Sequence, residues 1–253
     1  MFEPPDAAYG AAFASVYDHV LPRGEEVRRV VDELAGLHPG GGLPTLELGV
    51  GTGRIALPLS ARVGPITGVD ASPAMLEVLQ SAVHTSSADV TPVLDDIRTY
   101  RDEQAYGLVY CVCNTLSLLL DRDEQRQVIR HAAEALAPGG VLVIENVHRD
   151  NILALHRGEP QASYLVPYPG QNTGLLGFSN LGPDQTVWQA THVWFENGTA
   201  TLFSETCRLT TPEEVDADAV AAGLSPGLRT TGWEDDPLTD SASMFVVRYT
   251  KSR

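Results

Sequence analysis

Apolar residues recur along the first 150 positions in the patterns of alternating strands and helices. Residues 25–37 and 121–137 repeat apolar side chains every three to four positions, which predicts amphipathic helices. Between such segments, short apolar runs have the length and composition of buried strands: residues 44–47, 65–70, 90–94, 108–113 and 141–145. Sustained alternation of strand and helix predicts an α/β protein with a largely parallel sheet.

After residue 150 the pattern changes to that of antiparallel strands. Two alternating runs, residues 186–195 and 199–208, flank Asn197-Gly198, the preferred pair for a two-residue hairpin turn. That turn sets a register in which paired positions sum to 395, so His192 is predicted to face Phe203. One face of the hairpin is then aromatic and carries one histidine and one carboxylate: Trp188, Ala190, His192, Trp194, Phe203, Glu205 and Cys207.

Segments at both ends complete the predicted order. Residues 7–20 place Tyr9, Phe13 and Tyr17 on one stripe of a helix ahead of the first strand. This stripe is predicted either to cover the ligand site as a lid or to pack on the core, and both alternatives stay open. A capped helix at residues 211–222 and strands near residues 227–233 and 244–250 follow the hairpin.

The richest motif is the turn after the first strand. Glu47 ends the apolar run, and Gly49, Gly51 and Gly53 follow at alternate positions. Glycines at this spacing allow positive φ and let a ligand approach the main chain, as in nucleotide-binding turns. A dinucleotide fingerprint requires G-x-G-x-x-G, whereas here Arg54 stands where its third glycine would be, so NAD is disfavoured.

A second acid supports a nucleoside ligand. Asp70 ends the second predicted strand, about 20 residues after the glycines, where a carboxylate accepts hydrogen bonds from both hydroxyls of a ribose. Both NAD sites and adenosyl sites share this feature, so Asp70 alone does not decide between them. The glycine spacing is the more discriminating signal.

Together these motifs resemble the class I S-adenosylmethionine (SAM)-dependent methyltransferases. Four matches occur in the family's order: Glu47 with the glycine turn, Asp70, the helix start at residues 69–75, and the turn at residues 94–98. The resemblance implies a three-layer, doubly wound, mostly parallel seven-stranded sheet with an antiparallel last strand inserted between its neighbours. To this the hairpin pattern adds an antiparallel insertion over the active site. The cofactor implied is SAM, with S-adenosylhomocysteine as product.

The same resemblance implies a set of cofactor-binding residues. Arg54, at the head of the following helix, is a candidate partner for the amino acid carboxylate of SAM, although an ordinary surface arginine is also possible. The whole predicted set is Tyr9, Tyr17, Glu47, Gly49, Gly51, Gly53, Arg54, Asp70, Ala71, Met75, Asp95, Asp96, Ile97, Cys113 and Asn114. Cys113 and Asn114 enter it because ligands bind outside the carboxyl ends of strands in such sheets.

The length of the chain fits a single domain, within which different segments have different functions. We expect a single methyltransferase domain over residues 1–253. Within it we assign lid helices to residues 1–42, the SAM-binding core to 43–150, a substrate-side insertion to 151–210, and the last part of the sheet to 211–253.

Charge and composition limit the classes of molecule that the protein is expected to bind. The formal net charge of −16 disfavours binding to nucleic acid and to anionic membrane, so a small-molecule acceptor is expected. The three cysteines have neither a disulfide pattern nor zinc spacing, and no metal is expected. No apolar run of eighteen residues occurs and the start lacks a secretion signal, which predicts a cytoplasmic protein, monomeric or homodimeric. A single lysine, Lys251, suggests a GC-rich bacterial source.

Candidates for a general base lie on the substrate side. His148 follows the fifth strand and is either a base or a polar residue at the rim. His192 with Glu205 is the second candidate, with a surface or packing role as its alternative, and Asp18-His19 is the third. Asn114-Thr-Leu-Ser117 replaces the Asn-Pro-Pro-Tyr run of enzymes that methylate bases and glutamine. We therefore predict methylation of a specialised metabolite, with nitrogen favoured over oxygen or carbon, and with aromatic pocket walls from Tyr164, Trp188, Trp194 and Phe203.

Two other functions stay open at this point. A SAM-binding fold without methyl transfer, such as a cyclase or a ligand sensor, is the alternative, because a fold does not fix a function. A dinucleotide-dependent oxidoreductase is the third possibility.

Overall fold

The computed structural model describes residues 13–170 and 172–253, and a seven-stranded sheet forms its centre. The sheet order is β3-β2-β1-β4-β5-β11-β10. Its strands are β1 (Thr45–Leu48), β2 (Ile66–Asp70), β3 (Val90–Leu94), β4 (Tyr106–Cys111), β5 (Leu136–Val147), β10 (Leu224–Thr230) and β11 (Met244–Lys251). Strand β11 lies between β5 and β10 and is antiparallel to both, whereas β1 to β5 are parallel. The predicted doubly wound fold with an inserted antiparallel last strand is confirmed.

Helices cover both faces of this sheet. They are α1 (Tyr17–Val20), α2 (Glu25–Leu37), α3 (Ala56–Val63), α4 (Pro73–Ser86), α5 (Arg122–Ala135), α6 (Arg149–His156) and α7 (Pro212–Ala221). Apolar residues of α2, α3 and α4 form one buried cluster with the strands, and those of α5 and α7 form another. Each cluster removes apolar area from water on one face, and together they make three layers. No helix of the described residues is both long and apolar enough to cross a bilayer.

The insertion is a four-stranded antiparallel sheet in the order β6-β7-β8-β9. Its strands are β6 (Gln161–Pro167), β7 (Gly174–Leu181), β8 (Val187–Glu196) and β9 (Thr199–Arg208). The β8–β9 register is the one that the Asn197-Gly198 turn predicts, with His192 opposite Phe203. Strands β6 and β7 extend the predicted hairpin. The ring of Tyr164 on β6 lies over Gly177 of β7, where an added Cβ would meet that ring at 2.2 Å.

Some boundaries differ from those predicted. The helix expected at 121–137 ends at Ala135, and β5 begins at Leu136, so Pro138-Gly-Gly140 lies within the strand. The strand expected at 227–233 is Leu224–Thr230, with an irregular register between Pro226 and Arg229. Glycine and proline favour a break in these segments, but pairing of β5 with β4 and of β10 with β11 keeps them in strands.

The N-terminal stripe joins the two sheets. Phe13 stacks on Phe203 of β9 with ring centroids 4.1 Å apart, and its edge contacts Tyr17. The hydroxyl of Tyr168 donates a hydrogen bond of 2.7 Å to the main-chain oxygen of Val20. Phe13 is therefore a packing residue. Tyr9 lies outside the described residues.

The glycine turn depends on close packing at Gly53, whose φ is +75°. An added Cβ would lie 2.4 Å from Cδ1 of Leu79, a fully buried residue of α4. Gly53→Ala should therefore add a steric clash of about 1–3 kcal/mol to the ~1–2 kcal/mol cost of alanine at positive φ. Gly223→Ala is the matched control, since its φ is +85° and an added Cβ would meet nothing within 4 Å.

Urea unfolding of the two variants measures the difference. We expect the free energy of unfolding to fall further for Gly53→Ala than for Gly223→Ala. Equal losses would show that the packing of Gly53 on Leu79 contributes little.

Candidate functional site

A cavity of about 930 Å³, open to solvent, lies at the carboxyl ends of β1, β2 and β4. It is the position where parallel α/β sheets bind ligands. Most of the predicted cofactor residues line it: Tyr17, Glu47, Gly49, Gly51, Arg54, Asp70, Ala71, Met75, Asp96, Ile97 and Cys113. The structure thus brings residues from five separate segments of the sequence to one cavity.

The carboxylate of Asp70 is held at the cavity by main-chain hydrogen bonds. Oδ2 accepts a hydrogen bond from the N–H of Gly51 and Oδ1 accepts one from the N–H of Ser72, both at 2.8 Å. Gly51 has φ of +54°, and an added Cβ there would meet nothing within 4 Å, so the main chain is open to the cavity. This geometry fixes an anionic hydrogen-bond acceptor beside an exposed stretch of backbone, as a ribose site requires.

Glu47 is buried at the base of the cavity, with 2% of its surface exposed. Its Oε2 accepts a 2.7 Å hydrogen bond from the hydroxyl of Tyr110. Burial raises the pKa of Glu47 to about 8, although the Tyr110 hydrogen bond and the charge of Arg54 oppose the rise. The carboxyl is therefore largely protonated at neutral pH until another cation enters the cavity.

Arg54 is a buried cation that keeps an unused donor. Its guanidinium donates to Sγ of Cys113 and interacts with the hydroxyl of Tyr17, while Nε has no hydrogen-bond partner. Burial raises the pKa of Cys113 to about 12, so the thiol is neutral at physiological pH. A buried guanidinium beside neutral groups favours an anionic ligand. The alternative that Arg54 is an ordinary surface residue does not fit its 6% exposure.

The segment that contains α1 is tethered to both sheets. Asp18 accepts a 2.9 Å hydrogen bond from the hydroxyl of Thr52 in the glycine turn. On the other side, Nδ1 of His19 lies 2.8 Å from Oε2 of Glu196 at the end of β8. Tyr17 itself lines the cavity. Of the two alternatives for the aromatic stripe, Phe13 thus fits core packing and Tyr17 fits a lid.

The turn after β4 has an unusual backbone. Cys113 and Asn114 both adopt positive φ, +56° and +65°, a conformation that non-glycine residues adopt at a cost. The buried carboxylate of Glu145 accepts a 2.9 Å hydrogen bond from the N–H of Cys113 and a 2.5 Å hydrogen bond from Nε1 of Trp233. Oδ1 of Asn114 accepts from the N–H of Val147 at 3.1 Å. These contacts hold the strained turn in place.

A chain of polar contacts leads from this turn to the insertion. Nδ2 of Asn114 donates to Sγ of Cys207 at 3.3 Å, and Sγ lies 3.4 Å from Oε2 of Glu205. Oε1 of Glu205 is 3.0 Å from Nε2 of His192. Nδ1 of His192 is 3.4 Å from the hydroxyl of Tyr164. The predicted pairing of His192 with Glu205 thus occurs on the inner face of the four-stranded sheet, the face that packs on the cofactor side.

His148 has a different environment. It immediately follows β5, is buried, and its ring meets the edge of Phe245. Nδ1 has no hydrogen-bond partner. The residue is not among those that line the cavity.

The four predicted wall residues separate into two pairs. Trp194 and Phe203 are buried in a cluster with Met75 and the N-terminal stripe. Tyr164 and Trp188 instead line a second, shallower cavity of about 750 Å³ beside α6, together with Asn151, Ile152, Ala154 and Leu155.

Several features of the site were not foreseen from sequence. Thr115, Leu118 and Leu119 line the cavity from the 3₁₀ turn after β4, and Ser72 lines it beside Asp70. Of the predicted set, Gly53, Asp95 and Asn114 do not line it: Gly53 packs on α4, Asp95 is exposed, and Asn114 faces the insertion. The one sequence feature that indicates how the turn after β4 is held is Glu145, a carboxylate near the end of an otherwise apolar strand.

The cavity fits the adenosyl cofactor that the motifs imply. The residues that would hold it are Asp70 for the ribose, Arg54 through its unpartnered Nε for a carboxylate, and Glu47 for a cationic group. Open backbone at Gly51 leaves room for the ligand. Among the described residues, no cluster of three or more potential ligands for a metal ion occurs.

Comparisons with known proteins agree with this geometry. Residues 45–140 match a family model described as a methyltransferase domain. The structure of the CcbJ methyltransferase from Streptomyces caelestis is 30% identical, covers 98% of this chain and 99% of its own, and superposes with a TM-score of 0.86. SAM-bound CalS10, an amino pentose methyltransferase from Micromonospora echinaspora, shares the fold at 23% identity, with 94% and 97% coverage and a TM-score of 0.69.

A curated relative matches over a shorter length. The dTDP-4-amino-2,3,4,6-tetradeoxy-D-glucose N,N-dimethyltransferase of Saccharopolyspora spinosa is 32% identical over 100 residues. That match covers 40% of this chain and 39% of the relative, so most of the relative's length lies outside it.

Asp70→Ala should weaken SAM binding at least tenfold, because the ribose hydroxyls lose their acceptor and the glycine turn loses two anchoring hydrogen bonds. Asp95→Ala is the control, since Asp95 is a neighbouring acid that does not line the cavity. Calorimetric titration with SAM gives both affinities. Unchanged affinity of Asp70→Ala would rule out this binding mode.

Glu47 should release a proton when SAM binds at pH 7, because SAM is cationic and favours the ionised carboxylate. The same raised pKa makes the stability depend on pH. The contribution of Glu47 to the free energy of unfolding is complete below pH 4.5, the usual pKa of this carboxyl group, and is lost as the pH rises through about 8. Titrations in buffers of different ionisation enthalpy measure the proton release. Glu47→Gln should reduce it by up to one proton, and an equal release from both proteins would contradict the assigned pKa.

Proposed function

Because the chain belongs to the class I SAM-dependent methyltransferases, we propose that it transfers a methyl group from SAM to an amine nitrogen of a small, cationic metabolite. Bound SAM supplies the methyl group on a positively charged sulfur, which leaves as a neutral thioether when a nucleophile attacks the methyl carbon. The residues of this chain have three tasks: they hold the cofactor, hold the acceptor in line, and take up its proton.

The observation that carries the proposed proton transfer is the His192–Glu205 pair on the inner face of the four-stranded sheet, and the choice of nitrogen rests on the charge of the insertion. If Nε2–H donates to Glu205, the lone pair of Nδ1, which lies 3.4 Å from the Tyr164 hydroxyl, is the proton acceptor. The amine cation then loses its proton to Nδ1 before its nitrogen attacks, and the Glu205 carboxylate stabilises the imidazolium that forms. Glu205 in this arrangement is a positioning residue, and His192 is the base.

The charge of the insertion supports a cationic acceptor. Residues 161–207 contain no lysine and no arginine, and the only arginines of the 151–210 insertion, Arg157 and Arg208, lie outside that stretch, with Arg208 paired to Glu214. Residues 161–207 carry three acids, Asp184, Glu196 and Glu205. An amine cation is attracted by such a surface, whereas a phosphate would find no side-chain cation there. The acceptor we propose is therefore an amine without phosphate, in contrast to the dTDP-linked sugar named for the Saccharopolyspora relative.

We further propose a division of the chain that follows from these roles. Residues 1–42 close the cofactor site, 43–150 bind the cofactor, 151–210 bind the acceptor, and 211–253 complete the sheet. The second cavity, between Tyr164, Trp188 and α6, is the proposed place for the apolar part of the acceptor, since Tyr164 borders both that cavity and His192. His148 is assigned no part in the proton transfer.

The direct test is a methylation assay with matched acceptors. The protein and SAM are incubated with an amino sugar, with its hydroxyl counterpart, and with the nucleoside-diphosphate form of the amino sugar. We expect S-adenosylhomocysteine and a methylated product from the free amine ahead of the other two. Methylation of the hydroxyl compound alone would contradict the nitrogen assignment, and a preference for the diphosphate form would contradict the charge argument.

His192→Ala should lower kcat about 10²- to 10³-fold at a pH below the pKa of the amine, while SAM affinity stays within twofold of wild type. The deficit should shrink above the pKa of the amine, because the free base needs no proton acceptor. Thr191→Ala, a change on the opposite face of the same strand, is the control. A wild-type rate for His192→Ala at low pH would assign His192 to packing instead.

A further inference from the structure

The outer face of the four-stranded sheet points away from the cofactor side, and its strands carry one charged residue there: Arg208, at the end of β9 opposite Val187, which is paired with Glu214. The rest of this outer face consists of four rows of four residues, each row crossing β6, β7, β8 and β9. The rows are Gln161-Asn180-Gln189-Thr206, Ser163-Phe178-Thr191-Ser204, Leu165-Leu176-Val193-Leu202 and Pro167-Gly174-Phe195-Ala200. None of these residues carries a charge, in a chain with 33 acidic and 17 basic side chains.

One half of the outer face is apolar and exposed. Leu165 and Leu202 expose 67% and 63% of their surface, and Phe178 and Phe195 expose 46% and 40%. These residues surround Leu176 and Val193 in the middle of the sheet. Clusters of exposed apolar side chains of this kind mark sites of association in soluble proteins.

We propose that the outer face binds the outer face of a second copy of this chain, and so forms a two-fold symmetric dimer. Two copies of a chain of net charge −16 repel each other least where the contact surface is uncharged, as the four rows are. The four rows contain no lysine and no arginine, the side chains that an anionic partner would need. The same apolar and polar halves on both copies make the contact self-complementary.

The size of the outer face suits this partner. Four strands spaced ~4.8 Å apart and seven residues rising ~3.4 Å each give a footprint of roughly 19 by 24 Å. This footprint of roughly 460 Å² is somewhat more than half of the ~800 Å² that each partner buries in a standard interface, and the relief of the side chains adds to it, so the contact is a small one. Two such sheets pack face to face at a separation of about 10 Å.

The dimer leaves the functional site accessible. His192, Glu205 and the segment of α1 all lie on the inner side of the four-stranded sheet. The dimer therefore does not depend on which methyl acceptor the chain uses. The contact covers a sheet face that is otherwise exposed, on a chain that binds its ligands from the other side.

Sedimentation equilibrium of the full-length protein tests the proposal. Wild type should show a mass twice that of the 27.2 kDa chain. The double variant Leu165→Glu/Leu202→Glu places like charges in the contact and should raise the dissociation constant at least 100-fold. Leu228→Glu, at a residue of β10 that is 58% exposed, is the control and should stay dimeric.

Circular dichroism and SAM titration of the double variant establish that it is folded. For a test that does not depend on that variant, Thr191→Cys in the middle of the outer face should be joined to its copy by a thiol-specific cross-linker that spans about 10 Å, the separation of the packed sheets, and Ser81→Cys on α4 should not. A monomeric wild type at about 100 µM, or a dimer that persists in the folded double variant, would overturn the proposal.

Discussion

The hydrogen bond from the N–H of Cys113 to the buried carboxylate of Glu145 is the constraint on which the site depends. It holds two consecutive non-glycine residues, Cys113 and Asn114, in the left-handed region of φ. The cost of that backbone is of order 1–3 kcal/mol for each residue, and the surrounding contacts offset it. In return, the side chain of Cys113 faces Arg54 and the side chain of Asn114 faces the insertion. One turn thereby connects the cavity with the four-stranded sheet.

Only a few ionisable side chains are buried around this turn, and each has a hydrogen-bond partner or a free donor. Glu145 and Glu47 both have a raised pKa because of burial, and each has a hydrogen-bond donor close by. Arg54 is a buried cation with a donor to spare, and Asp70 is a carboxylate anchored by main-chain donors. The cavity thus offers a carboxyl group at Glu47, an anionic hydrogen-bond acceptor at Asp70 and a cation at Arg54. A ligand that carries an amino group, a ribose and a carboxylate requires these three groups at separate places. An apolar cavity of the same size would bind neither end of such a ligand.

The sequence was most informative where local chemistry determines structure. The glycine turn, Asp70 and the Asn197-Gly198 hairpin were predictable because each depends on neighbouring residues, and the register that brings His192 next to Glu205 followed from the turn alone. Strands β6 and β7 were not predictable, because proline, glycine and asparagine hide their alternation and pairing with β8 stabilises them. The pairing of Asn114 with Cys207 spans 93 positions, and no local pattern in the sequence indicates it.

Binding of SAM in one cavity through Asp70 and Arg54 underlies every role proposed for the other residues. A crystal structure of the protein with S-adenosylhomocysteine is therefore the decisive measurement. We expect the ribose hydroxyls on the Asp70 carboxylate and the amino acid carboxylate on Nε of Arg54. A ligand bound elsewhere, or with its carboxylate away from Arg54, would rule out this binding mode.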